Sequence, residues 1–229
     1  MTARRRRAGL IGVAVLAACG SAPPPPDWQL NAKGSLERAG AAFLAGNSRV
    51  EAVEFARARA DLARTGRADL IARAELTRCA WRVASLEFDD CPAFTALAAD
   101  AAPAERAYAA YLLGRATDQD AALLPEPHRE PARGAVLADA LGRIDDPLSR
   151  LVAAGVQLRS GRAEPAAVTL ASDTASAQGW SRPLLAWLGV QVQRAVSAGA
   201  TEEAARLRRR MALVSEAPAR PAAAASAPN

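Results

Sequence analysis

Histidine and lysine are almost missing from this chain of 229 residues: His128 is the one histidine, and Lys33 the one lysine among 29 basic side chains. Cysteine occurs three times, and aromatic residues make up 4% of the chain. Each scarcity excludes something. One histidine cannot supply the pair of a His-Glu-x-x-His metal site, and neither that pattern, nor Gly-x-Ser-x-Gly, nor a P-loop occurs. Sustained alternation of β-branched residues, the mark of half-buried strands, is missing as well. Few aromatics beside abundant alanine predict a thin alanine–leucine core with closely approaching helix axes. No motif implies a cofactor, a metal or a catalytic residue.

What is there begins with a leader. Arg4 to Arg7 give a charged start, and Ala8 to Ala18 is an apolar run of eleven residues. As a helix that run measures about 16 Å, against a hydrocarbon core of roughly 30 Å. It is too short to stay in a membrane as a spanning helix and reads as a removable secretory leader. Small residues and a cysteine end it, as Leu16-Ala17-Ala18-Cys19. This quartet resembles the lipobox of bacterial lipoproteins at all four positions. The resemblance implies cleavage before Cys19, diacylation of its thiol and acylation of the new amino terminus. Several acyl chains hold a protein stably at a membrane, at about 0.8 kcal/mol for each buried methylene. In Gram-negative lipoproteins an aspartate after the cysteine tends to retain the protein in the inner membrane. Gly20 stands there instead, which implies the outer membrane, facing the periplasm. The alternative is a free cysteine in an uncleaved, alanine-rich amino terminus.

Removal of the leader changes the charge. The whole chain carries 29 basic and 24 acidic side chains, and residues 1–18 hold four of the basic ones and none of the acidic. The remainder is close to neutral, so the charge gives no reason to expect nucleic acid as a partner. Arg208-Arg209-Arg210 is the one basic run left, suited to the carboxyl end of a helix.

The expected organisation is a signal peptide over 1–18, a lipidated cysteine with a proline-rich linker over 19–27, a folded body over 28–214, and an Ala/Pro tail over 215–229. Pro23 to Pro26 favour a polyproline II spacer, and the tail is expected to be disordered. The body reads as all-α. Helical spacing predicts ten helices, over 28–45, 48–65, 68–86, 92–100, 103–115, 131–142, 147–160, 164–177, 182–198 and 201–214, with one long loop over 117–130. Ser48-x-x-Glu51 reads as a capping box, followed by an inward face of Val50, Val53, Ala56, Ala60 and Ala63. Ala72, Leu76, Cys79, Val83 and Leu86 form a second such face; Leu184, Leu188, Val192 and Ala195 a third; Ala204, Leu207, Met211 and Val214 a fourth. Pro92, Pro103, Pro147, Pro165 and Pro183 fall in expected first turns, where a missing donor costs nothing. Short connections make successive helices antiparallel neighbours, that is, stacked αα-hairpins.

An internal echo bears on the architecture. Gly161-Arg162-Ala163-Glu164-Pro165-Ala166 and Gly199-Ala200-Thr201-Glu202-Glu203-Ala204 share glycine, acid and alanine positions, and Gly46 to Ala52 repeats them with one extra residue. These segments resemble the turn and second-helix start of tetratricopeptide repeats, Glu51-Ala52-Val53-Glu54-Phe55 above all. The resemblance touches about half the body and implies a tetratricopeptide-like superhelix. The first-helix tryptophan of that family has no match in register, and the 38-residue spacing from Gly161 to Gly199 exceeds the usual ~34. Another helical array or bundle is the alternative.

Cys79 and Cys91 remain once Cys19 is assigned. In an oxidising compartment two thiols in one small domain usually pair. On one continuous helix they would stand about 18 Å apart, too far for a bond. Pairing therefore requires the helix to end near Leu86 and the chain to run back; two buried free thiols are the alternative. His128 lies between Glu126 and Glu130 among three prolines, which reads as an exposed loop with solvated side chains. Asp89-Asp90 and Asp145-Asp146 read as helix caps rather than paired catalytic carboxylates. Tyr108 and Tyr111, three residues apart, are a candidate binding patch beside the commoner reading of core-edge packing, and Trp180 and Trp187 read as packing.

The expectation for function is a lipid-anchored scaffold that offers a helical-repeat surface to an envelope protein or peptide, and not an enzyme. A helical glycosidase-like enzyme acting on the cell wall and a bundle binding a small apolar ligand are the alternatives.

Overall fold

A computed structural model of the chain describes residues 24–134 and 137–216. The leader, Cys19 and the tail beyond Glu216 lie outside the described residues. Among the described residues there are twelve helices and no strand, so the fold is all-α. They are α1 (Asp27–Leu44), α2 (Ser48–Ala63), α3 (Ala68–Ala84), α4 (Pro92–Thr95), α5 (Pro103–Leu112) and α6 (Asp118–Leu123). There follow α7 (Glu126–Ala132), α8 (Leu137–Gly142), α9 (Pro147–Arg159), α10 (Pro165–Gln178), α11 (Ser181–Ser197) and α12 (Thr201–Glu216). None of them is long and apolar enough to cross a membrane.

Glycines with positive φ end the helices. Gly46, Gly114, Gly161, Gly179 and Gly199 all adopt it. After α9 the Gly161 amide donates to the Leu158 carbonyl and the Arg162 amide to that of Gln157; α1, α5, α10 and α11 end with the same paired bonds. This is a Schellman termination, which a residue with a side chain enters only with strain. The three glycines of the internal echo are thus helix stops, and so is Gly114.

Helix α3 is the centre of the molecule. Its face of Ala72, Leu76, Cys79 and Val83 is buried as expected. α9 crosses it at Gly155, where a Cβ would stand 2.3 Å from the Val83 carbonyl oxygen. Trp187 of α11, fully buried, donates its indole N–H to the next carbonyl, Ala84, at 3.1 Å. Around this contact the main core collects Leu76, Tyr111, Leu112, Leu151 and Leu188. A second cluster joins Phe43 of α1, Phe55 of α2 and Trp81 of α3, with Trp180 and Leu148 touching both. Gly40 of α1 gives Trp81 its room, since a Cβ there would lie 2.9 Å from the indole.

Helices remote in sequence also meet. Ser181 of α11 donates to the Ala45 carbonyl, and Arg182 to the Phe43 carbonyl and the Ser48 hydroxyl. The chain therefore returns on itself, whereas repeats in a solenoid touch only their neighbours.

Several local expectations are corrected. Asn47, not Ser48, caps α2, its side chain accepting from the Val50 amide. The inward face of α2 is Glu51, Glu54, Phe55, Ala58 and Leu62, while Val53, Ala56, Ala60 and Ala63 face solvent. Guanidinium groups from flanking helices make this possible: Arg78 of α3 holds both oxygens of Glu51, and Arg38 of α1 binds Glu54. The predicted loop 117–130 holds α6 and most of α7, with Thr117 and Asp120 forming a capping box at the start of α6. Residues 215 and 216, assigned to the tail, close α12.

Candidate functional site

Tyr108 and Tyr111 lie on α5, one of the walls between α3 and α9. Their spacing turns both rings toward α7, where His128 completes an aromatic stack. The imidazole centroid lies 5.6 Å from Tyr108 and 5.0 Å from Tyr111, with interplanar angles of 12° and 27°. Tyr111 is fully buried and belongs to the core; Tyr108 is partly exposed. His128 is 3% exposed, which overturns the solvated-loop expectation. The three prolines do not prevent a helix here. Pro125 is its N-cap and Pro127 lies in its first turn, where no donor is needed; Pro131 falls in its last turn. The helix turns His128 inward and leaves Glu126 and Glu130 in solvent.

The imidazole Nε2 lies 3.2 Å from the carbonyl oxygen of Ser149 at the start of α9. A carbonyl only accepts, so Nε2 carries the hydrogen, and in the neutral ring Nδ1 is left as an acceptor. Burial drives the pKa of His128 down to about 4; the bond to Ser149 and the charge of Asp146 act weakly the other way. Nδ1 has no partner. Burial also raises both tyrosine hydroxyls well above their ordinary range, and Asp146 adds to this for Tyr108.

Beside the stack opens a pocket of about 480 Å³. Leu76, Leu123, Leu124 and Pro125 give it apolar walls, Tyr108 and His128 an aromatic one, and Arg73 and Glu105 a charged side. Glu105 is 7% exposed. Arg73 places two N–H groups on one of its oxygens, Oε1, at 3.0 and 2.6 Å. The other oxygen, Oε2, is buried without a partner. A buried polar atom left unpaired costs about 1–3 kcal/mol, and both acceptors lie behind the pocket wall with no surface open to it. The tyrosine spacing pointed to this place, but nothing in the sequence linked it to His128 or Glu105, which reach it from α7 and the first turn of α5.

The other candidate residues are structural. Cys79 and Cys91 stand at disulfide distance, their Cα atoms 5.7 Å apart. α3 ends at Ala84, Leu86 takes a positive φ, and the chain runs back as the pairing required. Asp89 lies beside the sulfurs, accepts from the Cys91 amide at 2.9 Å and binds Arg82. Asp90 is held by Arg115 and Arg159, so this acidic pair straps the loop instead of capping a helix. Asp146 does cap α9, accepting from the Ser149 amide at 2.7 Å. Cys19 lies outside the described residues. Comparison of the chain with known protein families, curated proteins and solved structures finds no match.

Proposed function

We propose that this chain is a lipid-anchored, noncatalytic binding protein of the bacterial envelope, which presents its helical array to an envelope protein or peptide. The quartet Leu16-Ala17-Ala18-Cys19 carries this reading, because it directs both export and acylation. Two cysteines at bonding distance suit an oxidising compartment. An imidazole that is buried, neutral and bonded to the main chain is ill placed to exchange protons with a solvent-borne substrate. The outward face of α2, with Val53, Ala56, Ala60 and Ala63 bared to solvent, is a surface on which a partner helix could lie. The helix–glycine–helix turns support a tetratricopeptide-like origin for the array.

Labelled palmitate should enter the wild-type protein and not a Cys19→Ser variant, and the wild type should sediment with outer membranes. Crosslinking in cells should then trap a discrete envelope partner, which Val53→Asp releases while the helical circular dichroism is unchanged. A palmitate-negative, cytosolic wild type would end this proposal.

A further inference from the structure

We propose that Cys79 and Cys91 in their dithiol form, together with Asp89, hold a divalent cation of the zinc class, so that a metal can replace the bond that ties α3 to the start of α4. This goes beyond the envelope-binding reading and does not depend on the lipid anchor. Three observations carry it. The two sulfurs and a carboxylate oxygen of Asp89 lie within 4.8 Å of one another, with Asp89 Oδ1 3.9 Å from the Cys79 sulfur. Donors on a tetrahedral zinc ion stand about 3.5 Å apart, so small side-chain rotations gather the set. Asp89 is already aimed: Arg82 holds Oδ2 and the Cys91 amide donates to Oδ1, the outer shell that orients a metal-bound carboxylate. Beside the donors a hollow of about 40 Å³, lined by Glu75, Cys79, Asp89 and Cys91, has room for a water as the fourth ligand.

The charges around that hollow set the valence of the ion. Arg78 and Arg82 also line it, and Glu75 and Asp89 offset them. Two thiolates then leave two negative charges, which one divalent cation neutralises. The same guanidinium groups favour loss of the thiol protons. Sulfur donors select zinc over magnesium or calcium, which prefer oxygen. As a disulfide the sulfurs are neutral and no such site exists, so the oxidation state decides. A dithiol reductant delivers two electrons and two protons to Cys79 and Cys91 and leaves as its own disulfide; the arriving cation displaces both protons. Metal and disulfide close the same loop between α3 and α4, and occupation by the ion restores the tie that reduction removes.

The full chain in detergent, reduced with excess dithiol and then freed of it without oxygen, is titrated with Co²⁺. One equivalent should bring a thiolate-to-cobalt charge-transfer band and tetrahedral visible bands, which zinc abolishes; the oxidised protein should show neither. Zinc should also raise the melting temperature of the reduced protein and leave that of the oxidised one in place. Asp89→Asn keeps an acceptor for the Cys91 amide, and should weaken zinc about tenfold or more, the scale on which even outer partners of a metal site act. Asp90→Asn, one residue on and held by Arg115 and Arg159, should bind as the wild type does. Absent cobalt bands, bands equal in the oxidised protein, or a melting temperature unmoved by zinc overturn the proposal. A zinc affinity indifferent to Asp89→Asn overturns it as well, because chelation by any close dithiol would then suffice.

Discussion

An imidazole that stays neutral down to about pH 4 makes the folded state sensitive to acid. In the unfolded chain His128 titrates near 6.5. Between these two values the unfolded state takes up a proton that the folded state refuses. Stability is therefore full above pH 6.5 and falls on acidification through this window, by up to about 3 kcal/mol at its lower end. His128→Gln retains a donor for the Ser149 carbonyl and cannot titrate. Urea unfolding at pH 7 and pH 4.5 should show a smaller loss in the variant than in the wild type; equal losses would mean that His128 is not buried as a neutral ring. A second residue-level contrast concerns the arginines. Arg78 binds Glu51 through both oxygens and covers the Phe55 ring at 4.6 Å. Arg78→Ala strands a carboxylate that is 4% exposed, and should cost about 3 kcal/mol in urea unfolding. Lys33→Ala, at the exposed pair with Glu37, should change stability by no more than about 0.5 kcal/mol.

Between elements, the decisive contact is the crossing of α3 and α9. Gly155→Ala puts a methyl group into the Val83 carbonyl, and the helices must part. A loss of about 3 kcal/mol is expected, at the upper end for overpacking, with lower melting temperature as the measure. Gly189→Ala is the control: nothing lies within 4 Å of its would-be Cβ, so the exchange should raise stability by up to about 1 kcal/mol through helix propensity. Elements of this kind were legible in the sequence to different degrees. Spacing alone located α3, α11 and α12, because their apolar residues repeat at three and four and do face the core. Spacing misplaced the buried side of α2. The charges of Glu51 and Glu54 suggest solvent until Arg78 and Arg38 are known to arrive from other helices, and a pattern within one helix carries no news of that. The segment around His128 failed for a related reason. Proline signals a break, but at an N-cap and in a first turn it is compatible with a helix, so the short helix and its inward imidazole went unforeseen. Tyr108 and Tyr111 were found by their spacing, and their partners on α7 and in the first turn of α5 were not.

For the molecule as a whole, one side chain does much of the joining. Arg182 binds the Phe43 carbonyl, the Ser48 hydroxyl and Glu87, and lies over the Phe43 ring at 4.4 Å. Arg182→Ala should loosen α1 and α2 as a unit, read as faster amide exchange over residues 27–63 with little change in α9 and α11. The loop between Cys79 and Cys91 is the other join, since Arg82, Arg115 and Arg159 bring α3, α9 and the end of α5 to it. Intact protein should weigh two hydrogens less than its reduced form, and reduction should cost about 3 kcal/mol, the chain-entropy value for so short a loop. Two apolar clusters with no other tie between them would melt in two steps. The carbonyls that end α1, however, are satisfied by Ser181 and Arg182 of α11, and those that end α3 lie against Gly155 and Trp187. Neither half can detach without baring main-chain acceptors of the other to solvent, so heating should give a single calorimetric peak, and the Arg182→Ala exchange should be what splits it.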